Sequence, residues 1–150
     1  MQKLLYTLHF VSQTSRLPGD TEVMRTTGSG ASCVVTTNIL PSGLKTNLSA
    51  SEGELAFFES QLRLTGPEQF DESGEISFGD DGEHILRFST IGRGHIDLEC
   101  EPGVMAGGAN LKVEGGEGQF NGARGFIASN FTINGAGERS DYHCGMIFLP

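Results

Sequence analysis

The chain has 150 residues, 22 of them glycine, five proline and none tryptophan, a size at which one domain buries roughly 70% of its unfolded surface without disulfides or metals. Its formal charge of −9 is concentrated: from Ala50 to Glu101 thirteen Asp/Glu stand against three Arg (Arg63, Arg87 and Arg93), a local −10. That balance repels polyphosphates and anionic lipid and so excludes general nucleic-acid or membrane-surface binding, and no apolar run approaches the ~18 residues of a spanning helix.

At the amino terminus Leu4, Tyr6, Leu8 and Phe10 alternate with Lys3, Leu5, Thr7 and His9, a period of two that predicts a first strand. One Lys and no small-residue cleavage site argue against a secretory leader, which places the protein in the cytoplasm. Residues 13–30, where Arg16-Leu17-Pro18-Gly19-Asp20 and Thr26-Thr27-Gly28-Ser29-Gly30 enclose few apolar side chains, are expected to form a long loop over one mouth of the fold. Cys33 to Leu40 is β-branched and predicts a strand. Ser51 to Phe58 is ambiguous: Ser51 with Glu54 three residues on makes a helix start, while Leu55 to Leu64 alternates as a strand. Further strands are expected at Glu75–Phe78, His84–Thr90, His95–Cys100, Val104–Val113, Phe126–Ile133 and Tyr142–Leu149. Asp81-Gly82, Asn121-Gly122, Asn134-Gly135, Pro102-Gly103 and Pro41-Ser42-Gly43 punctuate them as turns. Eight or nine strands in this order make a meander, and a meander of that length closes to remove its edges. The expected fold is therefore all-β: one domain over residues 1–150, a closed antiparallel barrel of about eight strands with little helix and an interior that is filled or ligand-sized. Cys33, Cys100 and Cys144, an odd number among apolar neighbours, are expected as buried free thiols in a reducing compartment.

The segment from Glu114 to Gly125, Glu-Gly-Gly-Glu-Gly-Gln-Phe-Asn-Gly-Ala-Arg-Gly, resembles the GGxGxFxGAxG signature of the allene oxide cyclase-like and dirigent-like barrels, with Gly116, Gly118, Phe120, Gly122 and Gly125 carrying the likeness. The resemblance implies an eight-stranded barrel plugged by the phenylalanine, an apolar cavity, assembly as dimers or trimers, and steering of a reactive small molecule; it brings over no catalytic residue. A phosphate-loop reading of the same glycines is disfavoured, because a cradle needs a helix amino terminus and usually a Lys, whereas this segment leads into the strand Phe126–Ile133 and is flanked by Glu114 and Glu117.

Candidate chemistry comes from polar groups on apolar faces. His84 shares a face with Leu86 and Phe88, as either a core histidine or a pocket acid/base. Tyr6 and Tyr142 stand on apolar faces, where a hydroxyl needs a partner or a cavity. Glu59 and Arg63 sit opposite Phe58 and Leu62 but beside Leu55 and Phe57, so they are an ordinary exposed pair or, if inward, the poles of an amphiphilic pocket. Cys144 aligns with Met146 and Phe148. His95, Asp97 and Glu99 share one face, but same-face neighbours nearly 7 Å apart do not converge on a metal, and a solvent face is expected. These readings nominate His84, Tyr142 and Glu59 as catalytic candidates and Tyr6, Phe57, Arg63, Phe88 and Cys144 as ligand contacts, with no metal or other cofactor. The function they describe is a barrel that binds a small apolar or amphiphilic molecule, as an isomerase or cyclase that steers conformation; a non-catalytic carrier or sensor and a solid self-assembling barrel are the alternatives.

Overall fold

Period-two alternation runs through almost the whole chain, and the computed structural model, which describes residues 1–150, turns it into ten strands and one 3₁₀ turn. They are β1 (Gln2–Leu17), β2 (Asp20–Leu40), β3 (Gly43–Ala50), β4 (Ala56–Gly66), β5 (Gln69–Phe78), β6 (His84–Thr90), β7 (Gly94–Glu101), β8 (Val104–Glu117), β9 (Arg124–Asn134) and β10 (Glu138–Leu149). The order β1-β10-β9-β8-β6-β5-β4-β2 closes on itself where β2 pairs again with β1. Eight antiparallel strands therefore form a closed meander barrel. Two strands lie outside it: β3 pairs only with the distal half of β2, and β7 bridges the ends of β5 and β8.

All five expected turns fall between strands, and Gly43, Gly82, Gly103 and Gly122 take the positive φ that such corners demand. Two expectations are corrected and one ambiguity is resolved. Residues 13–30 are not a loop but the paired halves of β1 and β2, joined at Pro18-Gly19. Their buried positions are Thr14, Thr26 and Gly30 beside only Val23 and Met24, so the inner face carries a short apolar signal interrupted by polar and glycine residues. Ser51 to Leu55 forms no helix, and the strand begins at Ala56, because the Phe58, Leu62 stripe faces the barrel with a period of two. Of the three thiols, Cys33 is buried while Cys100 and Cys144 are exposed.

The interior is layered. Fourteen buried residues, among them Leu8, Phe10, Phe58, Leu86, Phe88, Phe120, Ile127 and Ile147, fill one half; Met24, Leu62, Phe70, Ile96, Phe131 and Ile133 fill the other. Between the halves the inward position turns polar on several strands: Phe58, Ser60, Leu62 on β4; Ile127, Ser129, Phe131 on β9; Ile76, then Glu72, then Phe70 on β5. A polar belt thus crosses the middle of an otherwise apolar barrel. The plug at the end of the larger half is the 3₁₀ turn Gly118–Phe120, whose Phe120 is buried and lies 5.3 Å from the ring of Phe78.

Candidate functional site

The belt is organised around Arg139. Its guanidinium is wholly buried and reaches both carboxylate oxygens of Glu72, at 2.6 and 3.1 Å, and one of Asp141 at 2.7 Å. It also lies over the ring of Phe131 at 4.0 Å and that of Phe58 at 5.5 Å, a cation–π arrangement that is strongest when desolvated. Ser60 donates to Glu72 at 2.8 Å and Ser129 to Asp141 at 2.9 Å, while Thr14 and Thr26 bond one another at 2.9 Å. Burial alone opposes the charge on Arg139, but Glu72 and Asp141 outweigh it and hold the guanidinium protonated above its ordinary range. Burial likewise pushes the Asp141 carboxyl up, and the pull of His143 and Arg139 with the Ser129 hydroxyl reverses this, lowering it to about 2.

That depression fixes a pH dependence. A carboxyl lowered from 3.8 unfolded to about 2 folded stabilises the fold fully above pH ~4 and loses its contribution as pH falls through ~2, a term of about 2 kcal/mol. Urea unfolding followed from pH 5 to pH 2 is expected to show that loss, and Asp141→Asn removes most of the slope in this window.

His143 closes the belt on the larger apolar side. Its Nε2 is 3.3 Å from Asp141 Oδ2, and since a carboxylate only accepts, Nε2 carries the proton and donates. Its ring meets Phe10 at 4.9 Å, Phe58 at 5.6 Å and Phe88 at 6.4 Å, each edge to face. Its Nδ1 has no partner. Neither do the Tyr6 hydroxyl, Ser12 Oγ and Arg139 Nε, although all are buried. These four atoms lie on the inner face of one strand pair, with His143 opposite Leu8, Arg139 opposite Ser12 and Tyr6 opposite Gly145. Gly145 is required there, since a Cβ would stand 2.1 Å from the Tyr6 ring. Burial, then the negative charges of Asp141 and Cys144, raises the Tyr6 phenol, so it stays a neutral donor. The seam offers a phenol O–H and a guanidinium N–H as donors, an imidazole nitrogen that accepts in the neutral ring and donates in the protonated one, and a hydroxyl that does either, with Phe10, Phe58 and Phe88 around the imidazole.

The nominated residues are dispersed. Tyr6 and Phe88 face the interior, and Phe88 touches His143. His84 stands about 13 Å further along β6, at the plugged end, where its Nδ1 accepts from the Gln119 backbone at 3.1 Å. Glu59, Phe57 and Arg63 face outward: Glu59 pairs with Arg25 and Arg63 with Asp20, and Phe57 and Glu59 border an open surface groove. Tyr142 is 40% exposed and stacks on His9 at 4.5 Å. Cys144 also faces out, beside Met146. Along β10 both alternating sets are half apolar, and the set that turns inward is Arg139, Asp141, His143, Ile147 and Leu149. Sequence reasoning missed Glu72, Arg139, Asp141 and His143 because charged residues default to solvent. The one available signal was that the last three keep phase with Ile147 and Leu149. His95, Asp97 and Glu99 are exposed, as expected.

The fold and belt together define a closed antiparallel barrel with a buried ionic centre. Comparison with family models, curated proteins and solved structures gives no match.

Proposed function

We propose that the barrel binds a small, mostly apolar molecule carrying one polar oxygen function, seated against the β1/β10 seam with its oxygen between Tyr6 and His143. The observation that supports this is that Tyr6 and His143, two positions apart in register on the inner face of β1 and β10, each keep a buried polar atom without a partner. Each such group left bare costs about 1–3 kcal/mol, and buried groups of this kind call for a ligand, ordered water or a catalytic role. Tyr6 donates to the ligand oxygen, His143 Nδ1 accepts from a hydroxyl or takes a proton, and Phe10, Phe58 and Phe88 enclose the hydrocarbon. With Asp141 orienting the imidazole, this is the equipment of an isomerase or cyclase that moves one proton while the walls fix the substrate's shape. The likeness of residues 114–125 to the allene oxide cyclase-like barrels agrees with this reading without adding a residue to it.

Tyr6→Phe separates a ligand-binding hydroxyl from a structural one. Removing an unpaired buried hydroxyl is expected to leave urea stability unchanged or raise it by up to about 1 kcal/mol, while retention of a co-purifying ligand falls at least tenfold. A loss of more than about 1 kcal/mol would show that the hydroxyl already has a protein partner and would sink the proposal. The solid-barrel reading rests on a separate observation, that Phe10, Phe58 and Phe88 are each at most 2% exposed. It predicts unchanged stability with no ligand in either protein.

A further inference from the structure

Beyond Ser32 the second half of β2 leaves the barrel and pairs only with β3, over eight residue pairs from Cys33↔Ala50 to Leu40↔Gly43. The register makes this hairpin two-faced. One face carries Cys33, Val35, Thr37, Ile39, Leu44, Thr46, Leu48 and Ala50, without a charge; the other carries Val34, Thr36, Asn38, Leu40, Lys45, Asn47 and Ser49. Ile39 is 87% and Leu44 69% exposed, on the apolar face. A two-stranded ribbon is at best marginally stable alone in water, and an exposed apolar ribbon is an association site by its nature.

A matching surface exists on the same molecule. The outer faces of β1, β10 and β9 align in rows: Lys3, Phe148, Arg124; then Leu5, Met146, Phe126; then Thr7, Cys144, Ala128; then His9, Tyr142, Asn130. Leu5, Met146 and Phe126 border an open groove of about 570 Å³ whose lining is mostly apolar, with Leu5 67% and Phe126 60% exposed. Those four rows contain no carboxylate, in a protein of charge −9. The hairpin likewise carries one Lys and no carboxylate. Two copies meeting through these surfaces bury no ionised acid and turn their acidic stretches away, the charge depletion that interface cores show.

We infer that the β2–β3 hairpin is an exchange arm that lays its apolar face across the Leu5–Met146–Phe126 row of a second copy of this chain, reciprocally about a two-fold axis. Size decides the reciprocity. An arm of eight pairs is about 27 Å long and about 10 Å wide, so one arm on one groove buries about 540 Å² counting both sides, within the range of adventitious contacts. Two arms on two grooves bury about 1,080 Å², past the roughly 1,000 Å² that a specific interface has to clear. The arm springs from the point where Ser32 pairs with Leu8, three residues along β1 from Leu5, so the two surfaces adjoin as a two-fold contact requires.

The test is sedimentation of the intact chain beside an Ile39→Lys/Leu44→Lys variant, whose changes lie outside the barrel, and a Phe126→Lys variant. The wild-type chain is expected as a dimer and both variants as monomers with unchanged β-sheet circular dichroism. As a second readout, Ile39→Cys should be captured as a covalent dimer by a short bis-maleimide through Cys144 of the neighbouring copy, and Cys144→Ser should abolish the capture. A wild-type chain that sediments as anything but a dimer, a dimer that survives the arm substitutions, or capture that persists without Cys144 overturns the inference.

Discussion

Replacing Arg139 by Met is expected to cost about 3–5 kcal/mol, because it strands two carboxylates in a barrel interior. The guanidinium is the only cation reaching Glu72 and shares Asp141 with His143 alone. All three side chains of the Glu72–Arg139–Asp141 set are at most 1% exposed, so water cannot enter to solvate the orphaned charges without opening the belt. A loss of that size is a large share of the roughly 5–15 kcal/mol that holds a domain together and lowers the melting temperature by roughly 10–15 °C. Urea unfolding measures it. Replacing Glu72, Arg139 and Asp141 together with apolar residues of similar size should restore stability, or exceed wild type by about 1–4 kcal/mol, since the belt is costly to break and not costly to dispense with. If Arg139→Met loses less than about 1 kcal/mol, the cluster is hydrated and the layered interior is wrong.

Phe120→Ala is expected to cost a similar 3–5 kcal/mol for a different reason, the loss of a packed ring and the cavity it leaves. Phe120 is 5% exposed and belongs to the larger apolar cluster. Its position is set by backbone that only glycine supplies: Gly118 has φ +61°, and a Cβ on Gly116 would stand 1.7 Å from the Ile85 carbonyl oxygen. A cavity at a closed end cannot collapse onto neighbours held by eight paired strands, which places the cost toward the upper end. Phe120→Leu keeps most of the volume and should lose about half as much. A Phe120→Ala protein with unchanged midpoint would mean that the turn does not seal the barrel.

The barrel was legible because its information is local: a period of two on β4, β6 and β9, and glycine at the corners. The Gly118–Phe120 plug was legible only through the likeness of residues 114–125 to a known barrel signature. The candidate site was not, because its signal is tertiary. The turn-forming residues of 16–20 and 26–30 make residues 13–30 resemble a loop, yet the polarity of Thr14 and Thr26 is what the belt demands of those inward positions. On β10, Tyr142, Cys144 and Met146 make as good a core stripe as Arg139, Asp141 and His143, and only the partnership of Arg139 with Glu72, 67 positions earlier in the chain, decides which turns in. Alternation alone puts Tyr6 and Phe88 on the inner face, as the structure does; it gives Tyr142 and Cys144 the same standing, and both lie on the outer face of β10.

Native mass spectrometry of the protein purified from its own host bears most directly on the seam between Tyr6 and His143. The account predicts a small-molecule adduct at one per chain, released on denaturation and absent from the Tyr6→Phe protein, whose fold persists. Bare chain mass in both proteins, with crystal density showing only water at Tyr6 Oη and His143 Nδ1, would contradict it.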